Sequence, residues 1–144
     1  MPYCLIPLTL PNNRKVDGIK REKYMEETQR LVEAITKGIQ EKKGSNIVVA
    51  DLGQVEGSIC KYFVICQGQS PSQVEAITES VGYTVDAEQG EKPAKIAGLG
   101  YSHWVAMDYV DVLVHIFLPE ERQYYDLEHL WEDAKITAIP DIVS

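Results

Sequence analysis

From Glu26 to Lys43, "EETQRLVEAITKGIQEKK", the apolar residues Leu31, Val32, Ile35 and Ile39 recur at helical spacing. Acidic side chains open the run, Lys42 and Lys43 close it, and Gly44 is in the place of a stop signal. An amphipathic helix packed on a sheet is predicted. The pattern then changes. "NIVVADL" (46–52) and "KYFVICQ" (61–67) are short β-rich runs with hardly a polar interruption, as buried strands are. The loop "GQVEGSI" separates them. Next, Ser70 as N-cap, Pro71 at the first helical position and Gln73 as capping-box partner start a second helix whose apolar face is Val74, Ile77, Val81 and Val85. Gly82 weakens its last turns.

After a short strand near residues 94–99, the period becomes two. Trp104 to Asp108 and Asp111 to Phe117 read as arms of a hairpin turning at Tyr109-Val110, with Asp108 opposite Asp111, Ala106 opposite Leu113 and Trp104 opposite His115. Val105, Met107, Val112, Val114 and Ile116 form the core face. The other face carries Trp104, Ala106, Asp108, Asp111, Leu113 and His115, and two carboxylates placed across a hairpin repel. That face answers to a demand other than folding. A purely structural reading of the same residues puts Trp104 under a helix and makes His115 a satisfied buried histidine. The following "PEERQYYDLEHLW" supplies a helical return, with Asp126 as N-cap, Leu127, Leu130 and Trp131 facing inward, and Tyr124 and Tyr125 bordering the hairpin. The tail "KITAIPDIVS" shows no pattern.

Helix, two strands, helix and hairpin imply one α/β domain, a mixed β-sheet covered by helices. The length of 144 residues fits a single domain. Fourteen basic against twenty-two acidic residues give a net charge of −8, which repels nucleic acid and complements a basic protein surface. The start "MPYCLIPLTL" has no basic region and no cleavage site, so a signal peptide is not expected, and nothing approaches a membrane span. Cys4, Cys60 and Cys66 have neither a disulfide framework nor metal spacing, consistent with a cytoplasmic chain.

"YFVICQGQSPSQVEAI", "WVAMDYVDVLVHIF" and "RQYYDLEHLW", in this order, resemble the ribosomal silencing factor family (RsfS, or Iojap) over about residues 26 to 136. The resemblance implies a nucleotidyltransferase-like single domain over 25–136, an N-terminal extension over 1–24 and a tail over 137–144. It further implies a chain that binds a ribosomal protein on the intersubunit face of the large subunit, keeps the small subunit from joining and damps translation. The family's hairpin pattern falls on Trp104, Asp108, Tyr109, Val110, Asp111 and His115. Val110 replaces the usual glycine, Ala97 a glutamate and Lys61 an aspartate. Trp104, Asp108, Tyr109, Asp111, His115 and Tyr125 are the candidate partner-binding residues.

Two other functions compete with docking. A nucleotidyltransferase would use Gly57-Ser58 to hold phosphates, but the carboxylates expected about ten residues later would fall near Gln69 to Pro71, where there are none. Fold likeness alone cannot carry that activity. Cys60 and Cys66 have no evident histidine–acid partners for nucleophilic catalysis. No cofactor or metal is expected. A homodimer through the hairpin face is the remaining alternative, since an aromatic patch can pair with its own copy.

Overall fold

The structure, a computed structural model, describes residues 14–52, 61–125 and 135–140, and within the first helix the side chains from Glu27 onward. Helix α1 spans Arg14–Glu41, so it begins twelve residues before the expected Glu26 and crosses the boundary drawn at residue 24. The added turns, "RKVDGIKREKYM", are rich in long straight-chain residues that lose little rotamer freedom in a helix. They carry no continuous apolar stripe, and periodicity therefore could not reveal them.

The end of α1 also differs from expectation. The left-handed residue is Lys43, at φ 59°, not Gly44. Gly44 N–H donates to the Ile39 carbonyl at 3.0 Å and Lys43 N–H to that of Gln40 at 3.0 Å, which is a Schellman closure. Gly44 has a different use: a Cβ there would collide with the Ile39 side chain. Strand β1 (Ser45–Asp51) then pairs antiparallel with β2 (Tyr62–Gln67).

Helix α2 spans Pro71–Gln89 and starts as expected, with the Ser70 hydroxyl accepting from Gln73 N–H at 3.2 Å. Gln73 does more than cap. Its side-chain oxygen accepts from Gln69 N–H at 2.7 Å, while its amide nitrogen donates to the carbonyls of Lys42 and Lys43 at 3.1 and 3.2 Å. One side chain thus ties the start of α2 to the end of α1. Farther along, Gly38 lets the helices touch: a Cβ on it would lie 2.8 Å from Val81 Cα, and Ser80 Oγ donates to the Gly38 carbonyl at 2.7 Å.

Strands β3 (Lys95–Ala97), β4 (Trp104–Asp108) and β5 (Val112–Phe117) follow, then helix α3 (Pro119–Tyr125) and strand β6 (Lys135–Ile139). The strands form one six-stranded sheet in the order β3-β4-β5-β2-β1-β6. Among the described strands only β5 and β2 run parallel; the other neighbours are antiparallel, so the mixed α/β architecture expected from the sequence is present. The supposedly patternless tail contains β6, which pairs with β1 from Ile47↔Ile139 to Asp51↔Lys135. It is an edge strand with nearly all of its residues exposed, and so has no buried face to impose alternation. Asp126, Leu127, Leu130 and Trp131, like Gly57-Ser58, lie outside the described residues.

Strand alternation divides the apolar side chains between two cores. Helices α1 and α2 cover the face formed by Ile47, Val49, Val64, Cys66, Val105, Met107, Val112, Val114 and Ile116. The opposite face gathers Ala50, Leu52, Phe63, Ile65 and Phe117, with Trp104 and Leu113 packed against them. Burial drives the Cys66 thiol up to about 12, so it stays protonated and inert near neutral pH.

Candidate docking face

The β4–β5 hairpin turns two positions away from the expected register. Trp104 pairs with Phe117, Ala106 with His115 and Asp108 with Leu113. Tyr109 N–H donates to the Val112 carbonyl at 2.9 Å, and the reversal is made by Val110 and Asp111. The Asp108 carboxylate accepts from Val110 N–H at 2.7 Å, an Asx turn that moves the bend one residue on. Asp108 and Asp111 therefore do not oppose each other, and the expected like-charge pair is absent. A shift of two preserves side-chain parity, so Trp104, Ala106, Asp108, Leu113 and His115 still share a face.

Val110 carries the strain. Its φ is 73°, and Asp111 N–H donates to the Tyr109 carbonyl at 2.9 Å across it, the geometry of the rare γ-turn. A β-branched residue is disfavoured there. Val110→Gly is expected to stabilise the protein by about 1 kcal/mol, the relief of left-handed strain exceeding the entropy lost by glycine. Urea unfolding would show this as a higher midpoint at unchanged slope. A lower midpoint would mean that the valine side chain contributes more packing than its backbone costs.

Beneath Trp104 lies His115, 5% exposed, whose Nδ1 accepts from Trp104 Nε1–H at 3.0 Å. That bond places the imidazole proton on Nε2. The Trp104 ring also meets Phe117 at 5.0 Å and Tyr125 at 4.5 Å between centroids, and Phe63 stands edge-on to His115 at 5.1 Å. Tyr125, 44% exposed, and Tyr124, 81% exposed, form a T-shaped pair on α3. Arg122 holds α3 to the sheet by donating to the Asn46 carbonyl at 2.5 Å and the Gln67 side chain at 3.3 Å.

Trp104, His115 and Tyr125 are thus brought together, with Trp104 half-buried between the other two. Asp108 lies half-buried at the far end of the same strand face. Two candidates belong elsewhere. Tyr109, 4% exposed, packs into the helix-covered core, because the later turn returns it to the parity of Val105 and Met107. Asp111 is buried in the turn, where its carbonyl accepts from Lys61 and Tyr62 N–H at 2.8 and 3.1 Å. Neither fits the expected exposed aromatic-acid face. Sequence reading missed exposed Tyr101, which stacks on His103 at 3.8 Å; His103 in turn stands 3.5 Å from Glu121 of α3. The "YSHW" run just ahead of β4 was the available signal.

Burial lowers the His115 pKa to about 4, leaving the ring neutral at pH 7. Because the unfolded histidine takes up its proton first, near pH 6.5, stability falls as pH drops from there towards 4, by on the order of 3 kcal/mol. Thermal unfolding between pH 7.5 and 4.5 should show this decline in the parent and a shallower one in His115→Phe. Parallel curves would assign the loss to other groups.

The family model for ribosomal silencing factor during starvation (RsfS) matches residues 25–144. The chain belongs to this family. It is 34% identical over 116 residues to the ribosomal silencing factor RsfS of Halalkalibacterium halodurans, covering 81% of this chain and 97% of that one. A crystal structure of a protein from Chromobacterium violaceum superposes with a TM-score of 0.68 at 28% identity, over 81% of this chain and 92% of the other. A mouse relative, mitochondrial assembly of ribosomal large subunit protein 1, is 33% identical over 75 residues, 49% of this chain and 32% of its own length. In this RsfS-family chain the hairpin tryptophan and the paired tyrosines of α3 come together as one aromatic cluster.

Proposed function

We propose that this RsfS-family chain is a cytoplasmic docking module, not an enzyme, that binds a basic ribosomal protein on the intersubunit face of the large subunit and thereby keeps the small subunit from joining. The observation that carries the reading is the platform formed by Trp104 and Tyr125, with Tyr124 exposed beside it. Large rigid aromatics dominate interface energetics, and their side chains are already held in place by α3 and the sheet. Around them Glu120 and Glu121 of the first turn of α3 add negative charge to a chain of net −8, which steers a lysine- and arginine-rich partner to this face. The names of the relatives, silencing factors and a large-subunit assembly protein, agree with this partner.

Co-sedimentation with isolated large subunits, small subunits and whole ribosomes tests the proposal. The parent should pellet with large subunits alone. Tyr125→Ala should lose about 2 kcal/mol of binding, roughly thirtyfold, while its exposed position keeps the melting temperature nearly unchanged. Equal pelleting with small subunits, or undiminished binding by the variant, would reject the site. Calorimetry with ATP, CTP and GTP plus magnesium should give no heat; micromolar binding would instead favour a nucleotide-handling enzyme.

A further inference from the structure

On the helical side of the sheet, away from Trp104, a cleft of about 550 Å³ opens between α1, the end of α2 and the β4–β5 turn. Its walls carry Glu27 and Arg30 of α1, Gln89 and Glu91 at the end of α2, and Tyr109 and Asp111 of the turn. Three carboxylates face one guanidinium, so the cleft is acidic. Burial, together with the charges of Asp111 and Glu27, pushes the Glu91 carboxyl up, which is what crowded carboxylates do when cations do not neutralise them fully.

An acidic cluster alone would be only a solvated surface. Here the inner wall adds a second feature: the Tyr109 hydroxyl is buried without any hydrogen-bond partner among the described residues. Buried polar atoms are nearly always paired, and a phenol can be left unpaired only at a free-energy cost. A ligand that donates hydrogen bonds would remove this cost. The carboxylates do not suit a bare metal ion, since no group of three acidic, histidine or cysteine residues among those described could hold one. A cation that works through hydrogen bonds tolerates a wider set. An ammonium offers three N–H donors, each reaching an acceptor at about 2.8 Å, and suits separated carboxylates plus a phenol oxygen.

We propose that this cleft binds an alkylammonium group, with Glu91, Glu27 and Asp111 compensating its charge and the Tyr109 oxygen accepting one of its N–H bonds. The group comes either from a free polyamine or from a lysine side chain presented by a protein. This site is separate from the Trp104 face and stands whether or not that face docks on a ribosome, because it is tested on the free protein.

The experiment is a titration of the intact ¹⁵N-labelled chain at low salt with spermidine and, separately, with tetralysine. Amide shifts should concentrate at Gln89, Glu91, Tyr109 and Asp111. Glu91→Gln should weaken binding about tenfold, and Tyr109→Phe about threefold with its melting temperature unchanged or raised, since the hydroxyl it loses has no partner in the free protein. Glu33→Gln, which removes an exposed carboxylate of α1 outside the cleft, should bind like the parent. Tighter binding of spermidine identifies a free polyamine as the source, and tighter binding of tetralysine a presented lysine. Shifts scattered over the whole acidic surface, or equal weakening by Glu33→Gln and Glu91→Gln, would reduce the effect to general charge attraction and overturn the proposal.

Discussion

Trp104→Ala is expected to lower the unfolding free energy by about 3 kcal/mol, or roughly 10 °C in melting temperature, and to abolish ribosome binding even in the molecules that remain folded. Both losses have one cause. The indole fills the space between Phe117 and Tyr125, so truncation opens a cavity in the smaller core and removes the support of the α3 tyrosine. It also deprives His115 Nδ1 of its donor. Trp104→Phe keeps most of the ring contact and loses only the N–H, and about 1 kcal/mol should go with it. Thermal unfolding and subunit binding measured on the same preparation decide the matter. Lost binding at an unchanged melting temperature would make Trp104 a free-standing anchor; two unchanged values would remove it from both roles.

Gly98→Ala is expected to be comparably damaging, at about 3 kcal/mol or more. Gly98 has φ 91°, a region that side chains avoid, and an added Cβ would run into the Trp104 carbonyl oxygen. The turn cannot relax freely, because Ser102 N–H donates to the Gly98 carbonyl at 2.9 Å and the Ser102 hydroxyl donates to Glu75 at 2.9 Å. Displacing the start of β4 would move Trp104 without altering it. Circular dichroism melts should show the loss, and the tryptophan emission maximum should shift to longer wavelength as the indole gains water. An unshifted emission with a lowered melting temperature would confine the damage to the β3–β4 turn.

How much of this was readable in the chain depends on what each element buries. Strands β1 and β2, the capped start of α2 and the two faces of the hairpin were legible because each has an apolar pattern enforced by a core. The first turns of α1 and all of β6 were not. The former are rich in charged residues without an apolar stripe, and the latter is recognisable only by its backbone partner on β1. Within the candidate site, the nearness of Tyr125 to the hairpin was legible from its place after β5, but its contact with Trp104 was not. The places of Tyr109 and Asp111 could not, because they hang on one hydrogen bond, from Val110 N–H to the Asp108 carboxylate, which sets where the hairpin bends. A single side-chain contact thereby carries Tyr109 from the expected turn into the helix-covered core.

The parallel contact between β2 and β5, running from Tyr62↔Val112 to Gln67↔Phe117, joins stretches of chain separated by a helix and two strands. Helical turns and the β4–β5 hairpin can form from neighbouring residues, whereas this seam requires a long loop to be brought together. The smaller core that supports the aromatic platform straddles it: Leu52 and Phe63 arrive from one side, Trp104, His115 and Phe117 from the other. A half-folded chain, whichever half has formed, holds only part of that support. The buried support of Trp104 is therefore completed only when the sheet closes, whichever half of the chain forms first.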